Sequence, residues 1–429
     1  MKAHEINWSK LISVQNESLN LNDIEARENN LYGLNVLRCG QNRKIEIKTK
    51  NGSQWVIDCL SNSPFSLNVR PEVVDSSIDA IRNFGALHSS VASARASTGM
   101  VYEITQKLSQ MKTGDAESRL YPTTLSANIA VAAGLASKKL DATAIVHPNV
   151  HATVQFAIAG AFDPKRIIKS KNTAAVASAF AKTTKRPVVI IEDGLYSMGN
   201  FADFKGLGNF LDENKNGWVW FDDAHSVGMR GTNGRGEAME TMEKYTNRTI
   251  ITGSLGKAFG AAGGFMSAPK SFTQNMLSVS VSDRFSCNLD VSAQGAILGA
   301  MRLLADINEY EHLQHQLKIR LDRFDAALDQ IGIVTEQRET PIAYRVIPFS
   351  GPQEAIDGAA ILLNNYGFVT TPVYYPTIAR GKGAIRISLS VGHQIKDIDR
   401  LVTALHGVLS GEVLSVGNRS TYTEAKECI

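Results

Sequence analysis

Five short segments carry the residues best suited to chemistry. The sharpest is Gly253-Ser-Leu-Gly-Lys257-Ala-Phe-Gly260, followed by Gly263-Gly264 and preceded by an apolar run that reads as a strand. Glycine-rich turns let backbone approach a ligand closely, and the Ser254 hydroxyl can meet a phosphate. A nucleotide P-loop fits poorly: it needs glycine at position 251 and serine or threonine at 258, where the chain has Ile251 and Ala258. Taken alone, a glycine turn with a surface lysine explains the segment equally well. The second segment is Phe221-Asp222-Asp223-Ala-His225-Ser-Val-Gly228. A carboxylate at a strand end can pair with a protonated ring nitrogen and keep that ring cationic, with a histidine near a ring oxygen. A capped turn is the plain alternative. The third, Ile191-Glu-Asp193-Gly-Leu-Tyr-Ser197-Met198, reads first as a turn entering a helix. The fourth, His147-Pro-Asn-Val-His151-Ala-Thr, offers an imidazole that could stack on an aromatic group, although a lone histidine is more often structural. The fifth, Tyr121-Pro-Thr-Thr124-Leu125-Ser-Ala-Asn128, opens a helix, and a helix N-terminus is a ready phosphate site.

These segments need a scaffold that sets them side by side. Short apolar runs at 142–146 (ATAIV), 187–191 (PVVII), 218–221 (WVWF) and 249–251 (TII) read as strands, with helical stretches such as 127–140 and 174–182 between them. Apolar strands joined by helical crossovers imply a mostly parallel sheet covered on both faces, and ligands of such sheets bind beyond the carboxyl ends of the strands. Residues 1–60 read as an N-terminal extension, in which 44–57 (KIEIKTKNGSQWVI) alternates around Asn51-Gly52 as a hairpin does. Residues 61–300 form the large α/β domain. Residues 301–429 read as a smaller α/β domain: a helix over 301–331, a strand over 342–349, a helix near 353–366, a strand over 384–390 and a last helix near 396–409. The tail after Gly411 is polar and expected to be loosely held.

Composition narrows the function classes. The 429 residues are 43% hydrophobic, enough for a large core and more than one domain. Forty-five basic against 42 acidic residues leave a net charge of +3, which gives no support for a nucleic-acid or membrane-surface role. No run of 18 apolar residues predicts a membrane span, and the charged start MKAHEINWSKL does not read as a signal peptide. Four widely spaced cysteines make neither a disulfide framework nor a zinc pattern, so no metal is expected and a cytoplasmic setting is the default.

In that order, FDDAHSVG…GRG, TGSLGKAFGAAGGF and KGAIRISLSVGH resemble the α-oxoamine synthases, pyridoxal-phosphate (PLP) enzymes of fold type I; SNSPFSL, ASARASTG and RFSCNL are weaker echoes. The likeness runs from about residue 61 to 405. It implies a large PLP-binding domain with a mostly parallel seven-stranded sheet, a smaller C-terminal α/β domain, and a homodimer with shared sites. It also implies roles for single residues. Lys257 is the Schiff-base lysine, Asp222 pairs with the pyridine nitrogen, His225 bonds the phenolic oxygen, and His151 stacks on the ring. Ser197 lies near the ring oxygen. Thr124, Leu125 and Ser254 hold the phosphate, while Ser286 or Cys287 reaches the phosphate of a neighbouring subunit. Arg386 fixes the amino-acid carboxylate, with Asn62 and Arg95 at the substrate. The chain departs from the family pattern at Asn62-Ser-Pro-Phe-Ser-Leu67, where a tyrosine is lost, at Ser90-Val-Ala-Ser-Ala-Arg95, where glycines are lost, and at Cys287, where the family has threonine. These positions surround the substrate pocket rather than the cofactor.

The implied reaction is a decarboxylative, Claisen-type condensation of glycine, alanine or serine with an acyl thioester, carried on CoA or a carrier protein, to give an α-amino ketone. Two other readings remain: a PLP-dependent aminotransferase, and a non-catalytic partner subunit. The presence of Lys257 argues against the second.

Overall fold

The computed structural model describes residues 21–50, 52–86, 95–339, 342–375 and 377–411. Asn51, the stretch 90–94 before Arg95 and the tail after Gly411 therefore lie outside the described residues. The chain opens with helix α1 (Leu21–Glu28), then strands β1 (Val36–Cys39), β2 (Lys44–Thr49) and β3 (Gly52–Asp58). β2 and β3 pair antiparallel, Lys44 opposite Ile57 and Thr49 opposite Gly52. Helices α2 (Pro71–Phe84) and α3 (Gly99–Lys112) lead into the central sheet.

That sheet is built from β4 (Ala116–Tyr121), α4 (Thr124–Ala136), β5 (Thr143–Val146), α5 (Ala152–Ala161), β6 (Ile167–Lys169), α6 (Thr173–Ala181), β7 (Val188–Asp193), α7 (Phe204–Glu213), β8 (Gly217–Asp222), β9 (Thr249–Ser254) and β10 (Gly264–Pro269). Seven strands run in the order β4-β10-β9-β8-β7-β5-β6, all parallel except β10, which is antiparallel to both neighbours. The expected seven-stranded, mostly parallel α/β sheet is present. β5, β7 and β8 are buried along almost their whole length because helices cover both faces. β7 runs two residues beyond its apolar core and so delivers Glu192 and Asp193 to the carboxyl edge.

The C-terminal part contains α8 (Val291–Ala305), α9 (Ile307–Gln330), β11 (Tyr344–Phe349), α10 (Pro352–Tyr366), β12 (Phe368–Val369), β13 (Thr371–Val373), β14 (Gly383–Ser388) and α11 (Ile395–Ser410). The single helix expected over 301–331 is two helices. Asp306 ends α8 and caps α9, its carboxylate accepting from the Asn308 and Glu309 N–H groups. β11, β14 and β13 form an antiparallel sheet. β12 instead pairs parallel with β3, so the N-terminal hairpin is hydrogen-bonded to the C-terminal part in one four-stranded sheet. Among the described residues no helix is long and apolar enough to cross a membrane.

Candidate active site

The chemistry-bearing side chains meet at the carboxyl edge of the central sheet. Asp193 and Asp222 end β7 and β8 in register with one another. Asp222 is buried; its Oδ1 accepts from the Ala224 N–H at 3.1 Å and its Oδ2 from the Asn128 amide at 3.2 Å. Asp193 accepts from the His151 N–H at 3.2 Å. Burial pushes the Asp193 carboxyl well above the usual carboxylate range, and the Asp222 charge adds to this.

Lys257 follows β9 on the turn into β10, where Leu255 N–H bonds the Gly263 carbonyl and Gly260 N–H bonds the Lys257 carbonyl. The glycines are there for space. A Cβ on Gly264 would lie 2.4 Å from the Thr124 nitrogen, and one on Gly260, whose φ is +67°, 2.4 Å from the Asn68 nitrogen. The turn is thereby pressed against the start of α4, where Thr123 caps the helix by accepting from the Ser126 N–H. Thr124 and Leu125 open that helix, so their N–H groups have no intrahelical partner. Ser254 closes β9 with its hydroxyl oxygen accepting from the Gly256 N–H. Desolvation holds the Lys257 amine below its ordinary pKa; the Asp222 and Asp193 charges oppose this and Arg386 adds to it.

His225 sits in the turn after β8, edge-on to Tyr344 with ring centroids 5.9 Å apart. Burial first, then the charges of Lys257 and Arg386, holds its imidazole well below the ordinary value, so it is neutral at pH 7. His151 caps α5: its Nδ1 accepts from the Thr153 N–H and lies 2.7 Å from the Thr153 hydroxyl. Its pKa is lowered too, chiefly by desolvation.

A cleft beside Lys257 and His225 is lined by Asn62, Met229, Ile342, Tyr344 and Leu389. Asn62 Oδ1 accepts from the Ser388 hydroxyl at 3.1 Å. Arg386 projects from β14 with its guanidinium 5.8 Å from the Tyr344 ring centre. Its Nε is buried without a hydrogen-bond partner, and it makes no ion pair among the described residues. A half-buried guanidinium with an unpartnered donor is suited to accept a carboxylate.

The remaining expected residues stand apart. Ser197 is half-buried in the turn between Leu195 and Phe201. Ser286 donates to the Cys287 carbonyl on a surface where Phe285 is 75% exposed. Arg95 is exposed before α3. Three residues of the site escaped sequence reasoning. Asn128 and Asp193 lay inside segments already singled out, and their burial beside charge was the missing information. Tyr344 sits on a strand whose apolar–polar pattern carries no chemical mark.

Residues 169–405 match the family described as aminotransferase class I and II. The chain belongs to that family, and within it to the PLP-dependent acyltransferases of the α-oxoamine synthase type. It is 26% identical over 364 residues to the 5-aminolevulinate synthase of Rhizobium meliloti, covering 84% of this chain and 88% of that one. It is 26% identical over 367 residues to an 8-amino-7-oxononanoate synthase of Bacillus velezensis, covering 85% and 90%. The fold superimposes on a serine palmitoyltransferase from S. paucimobilis, solved with bound PLP, with a TM-score of 0.77 at 18% identity, covering 89% and 93%.

The residues present fit PLP. A desolvated lysine amine suits its aldehyde, a buried carboxylate with a free face suits its ring nitrogen, and a helix start with free N–H groups beside a serine hydroxyl suits its phosphate.

Proposed function

We propose that this chain joins a small α-amino acid (glycine, alanine or serine) to an acyl group delivered as a thioester of CoA or of a carrier protein, with loss of CO2, to give an α-amino ketone. One observation carries the reading. Lys257, Asp222 and His225 converge at one sheet edge, and Arg386, its Nε unpartnered, lies beside Tyr344 of the cleft wall and close enough to act on Lys257 and His225.

PLP, when bound, supplies an electron sink for the bond broken at the amino-acid Cα. The chain's own residues do the rest. Lys257 would hold the cofactor aldehyde, and the lowering of its amine pKa by desolvation suits it to take the Cα proton. Asp222, held by Asn128 and the Ala224 N–H, keeps the ring nitrogen protonated. Neutral His225 offers an N–H to the phenolic oxygen and, during acyl transfer, to the thioester oxygen as it gains charge. His151 covers the ring face, and Ser197 lies by the ring oxygen. The Thr124 and Leu125 N–H groups and the Ser254 hydroxyl bind the phosphate. Arg386 takes the amino-acid carboxylate bidentately, with Asn62 beside it.

Ser286 and Arg95, exposed in the single subunit, serve a neighbouring subunit's site in a homodimer. The exposed apolar side chains Val74, Ile78 and Ile81 of α2 support that assembly. Cys39 and Cys59 are free thiols, in keeping with a cytoplasmic setting.

The test uses the PLP-loaded protein. Glycine, alanine and serine are added singly while the cofactor absorbance is followed, and a panel of acyl thioesters is then scored for thiol release and CO2. An amino-acid-dependent absorbance change followed by thiol release is expected. Amino-group transfer to a 2-oxo acid without thiol release would sink the proposal, as would full activity in Lys257→Ala.

A further inference from the structure

The Asn128 amide that holds Asp222 is also the start of a line of hydrogen bonds running outward to His151, and that continuation has no role above. Asn128, on α4, is fully buried. Its Nδ2 donates one proton to Asp222 Oδ2 at 3.2 Å and the other to Thr153 Oγ1 at 3.1 Å. The amide cannot be turned round, because its oxygen would then face the carboxylate oxygen of Asp222 with no proton between them. Thr153 Oγ1 therefore accepts from Asn128, and its own proton is free for His151 Nδ1, 2.7 Å away. The Thr153 N–H reaches the same Nδ1 at 3.3 Å. An Nδ1 that accepts two hydrogen bonds carries no proton, so the ring proton sits on Nε2.

We infer that Asn128 and Thr153 are positioning residues that lock His151 as the neutral Nε2–H imidazole and tie its orientation to that of Asp222. The lock has a physical purpose on the reading that His151 covers a ring kept protonated by Asp222. An imidazolium laid on that cationic ring would repel it, and a relay donating to Nδ1 opposes protonation. The charged and titratable groups facing His151 are Asp193 and Asp222 at the ends of β7 and β8, His225 after β8, Lys257 after β9 and Arg386 on β14. Desolvation, Lys257 and Arg386 oppose an imidazolium and Asp222 favours it, but none of these selects between the two neutral tautomers, which the relay does.

The test is 15N-histidine NMR of the protein with and without PLP, the His151 signals being assigned by their loss in His151→Asn. An unprotonated Nδ1 from pH 6 to 9 in both forms is expected. Thr153→Val, nearly isosteric, removes the hydroxyl proton and raises the His151 pKa by about 0.5–1 unit, the effect of one net hydrogen bond. The pH profile of the cofactor absorbance moves with it, while Thr153→Ser keeps the parent profile. A protonated Nδ1 in the parent, or a Thr153→Val protein that titrates like the parent, overturns the lock. If PLP leaves the His151 signals unmoved while the tautomer stands, the stacking role fails and the lock survives.

Discussion

Removing the Asp325 carboxylate should unfold this protein more readily than almost any other single side-chain truncation in its C-terminal part. Arg345, on β11, is 1% exposed. Its Nε and Nη2 form a fork onto both oxygens of Asp325 at 2.7 and 2.6 Å, from β11 across to α9, and its Nη1 donates to the carbonyls of Ile342 and Tyr344 at 2.9 Å. In Asp325→Ala only Nη1 keeps its two carbonyl acceptors, while Nε and Nη2 lose theirs on a stranded buried charge. Breaking such a pair from one side costs about 3–5 kcal/mol, because the partner charge keeps its desolvation penalty and loses its compensation. The double variant Arg345→Met/Asp325→Leu removes both charges and fills the space, and is expected within about 2 kcal/mol of the parent. The assay is guanidinium unfolding at fixed PLP concentration, with midpoints compared at a common slope. A loss below about 1 kcal/mol in Asp325→Ala, or a double variant whose cost is the sum of the singles, refutes the reasoning, since either means that the pair is solvated and its members act independently. Arg345 also holds the carbonyls of two residues that line the cleft, so Asp325→Ala should raise the KM for the amino acid as well.

Three further outcomes follow from the geometry. Arg386→Lys keeps the charge but loses the fork, so the KM for the amino acid should rise about 10- to 100-fold with the cofactor absorbance unchanged, read by steady-state kinetics. Gly264→Ala drives a Cβ to 2.4 Å from the Thr124 nitrogen and 2.5 Å from its Cα. It should parts the glycine turn from α4, weakening PLP binding at least tenfold by titration and costing about 1–3 kcal/mol of stability. Buried His393 is held at about 4 rather than 6.5, first by desolvation, so its contribution is complete above pH 6.5 and is lost as pH falls toward 4, about 3 kcal/mol at 1.4 per unit. Asp223, raised from 3.8 to about 7 by burial, has the opposite sign: its contribution is complete below pH 3.8 and is lost as pH rises toward 7. Stability of the parent should therefore change little between pH 4 and 6.5, whereas His393→Asn should grow steadily less stable as pH rises through that window.

What could be read in advance followed from how far each signal depends on neighbours in the chain. β5, β7, β8 and β9 are runs of β-branched and aromatic residues buried on both faces, and such runs announce themselves without tertiary context. β4 (AESRLY) and β10 (GFMSAP) do not. β4 lies at the sheet edge with half-buried Glu117 and Arg119 flanking buried Ser118, and β10 is short of β-branched residues and takes its form from pairing with β4 on one side and β9 on the other. The long helix over 301–331 misread one residue: Asp306 looks like surface charge in a helical pattern, yet its side chain ends one helix and starts the next.

The site divides in the same way. Lys257, Asp222 and His225 sit in local motifs where glycine turns and strand ends mark the chemistry. Arg386 is marked by the resemblance alone, since by itself it occupies an ordinary alternating position in AIRISLS; among the described residues it lacks the ion-pair partner that Arg345 has on the adjacent strand. The two arginines leave opposite faces of the small sheet: Arg345 is buried against Asp325 of α9, while half-buried Arg386 shares its face with Tyr344 and meets no carboxylate among the described residues. On the proposed function a substrate carboxylate supplies that counterpart, since a desolvated guanidinium whose Nε has no acceptor stays costly until something from outside the chain fills it.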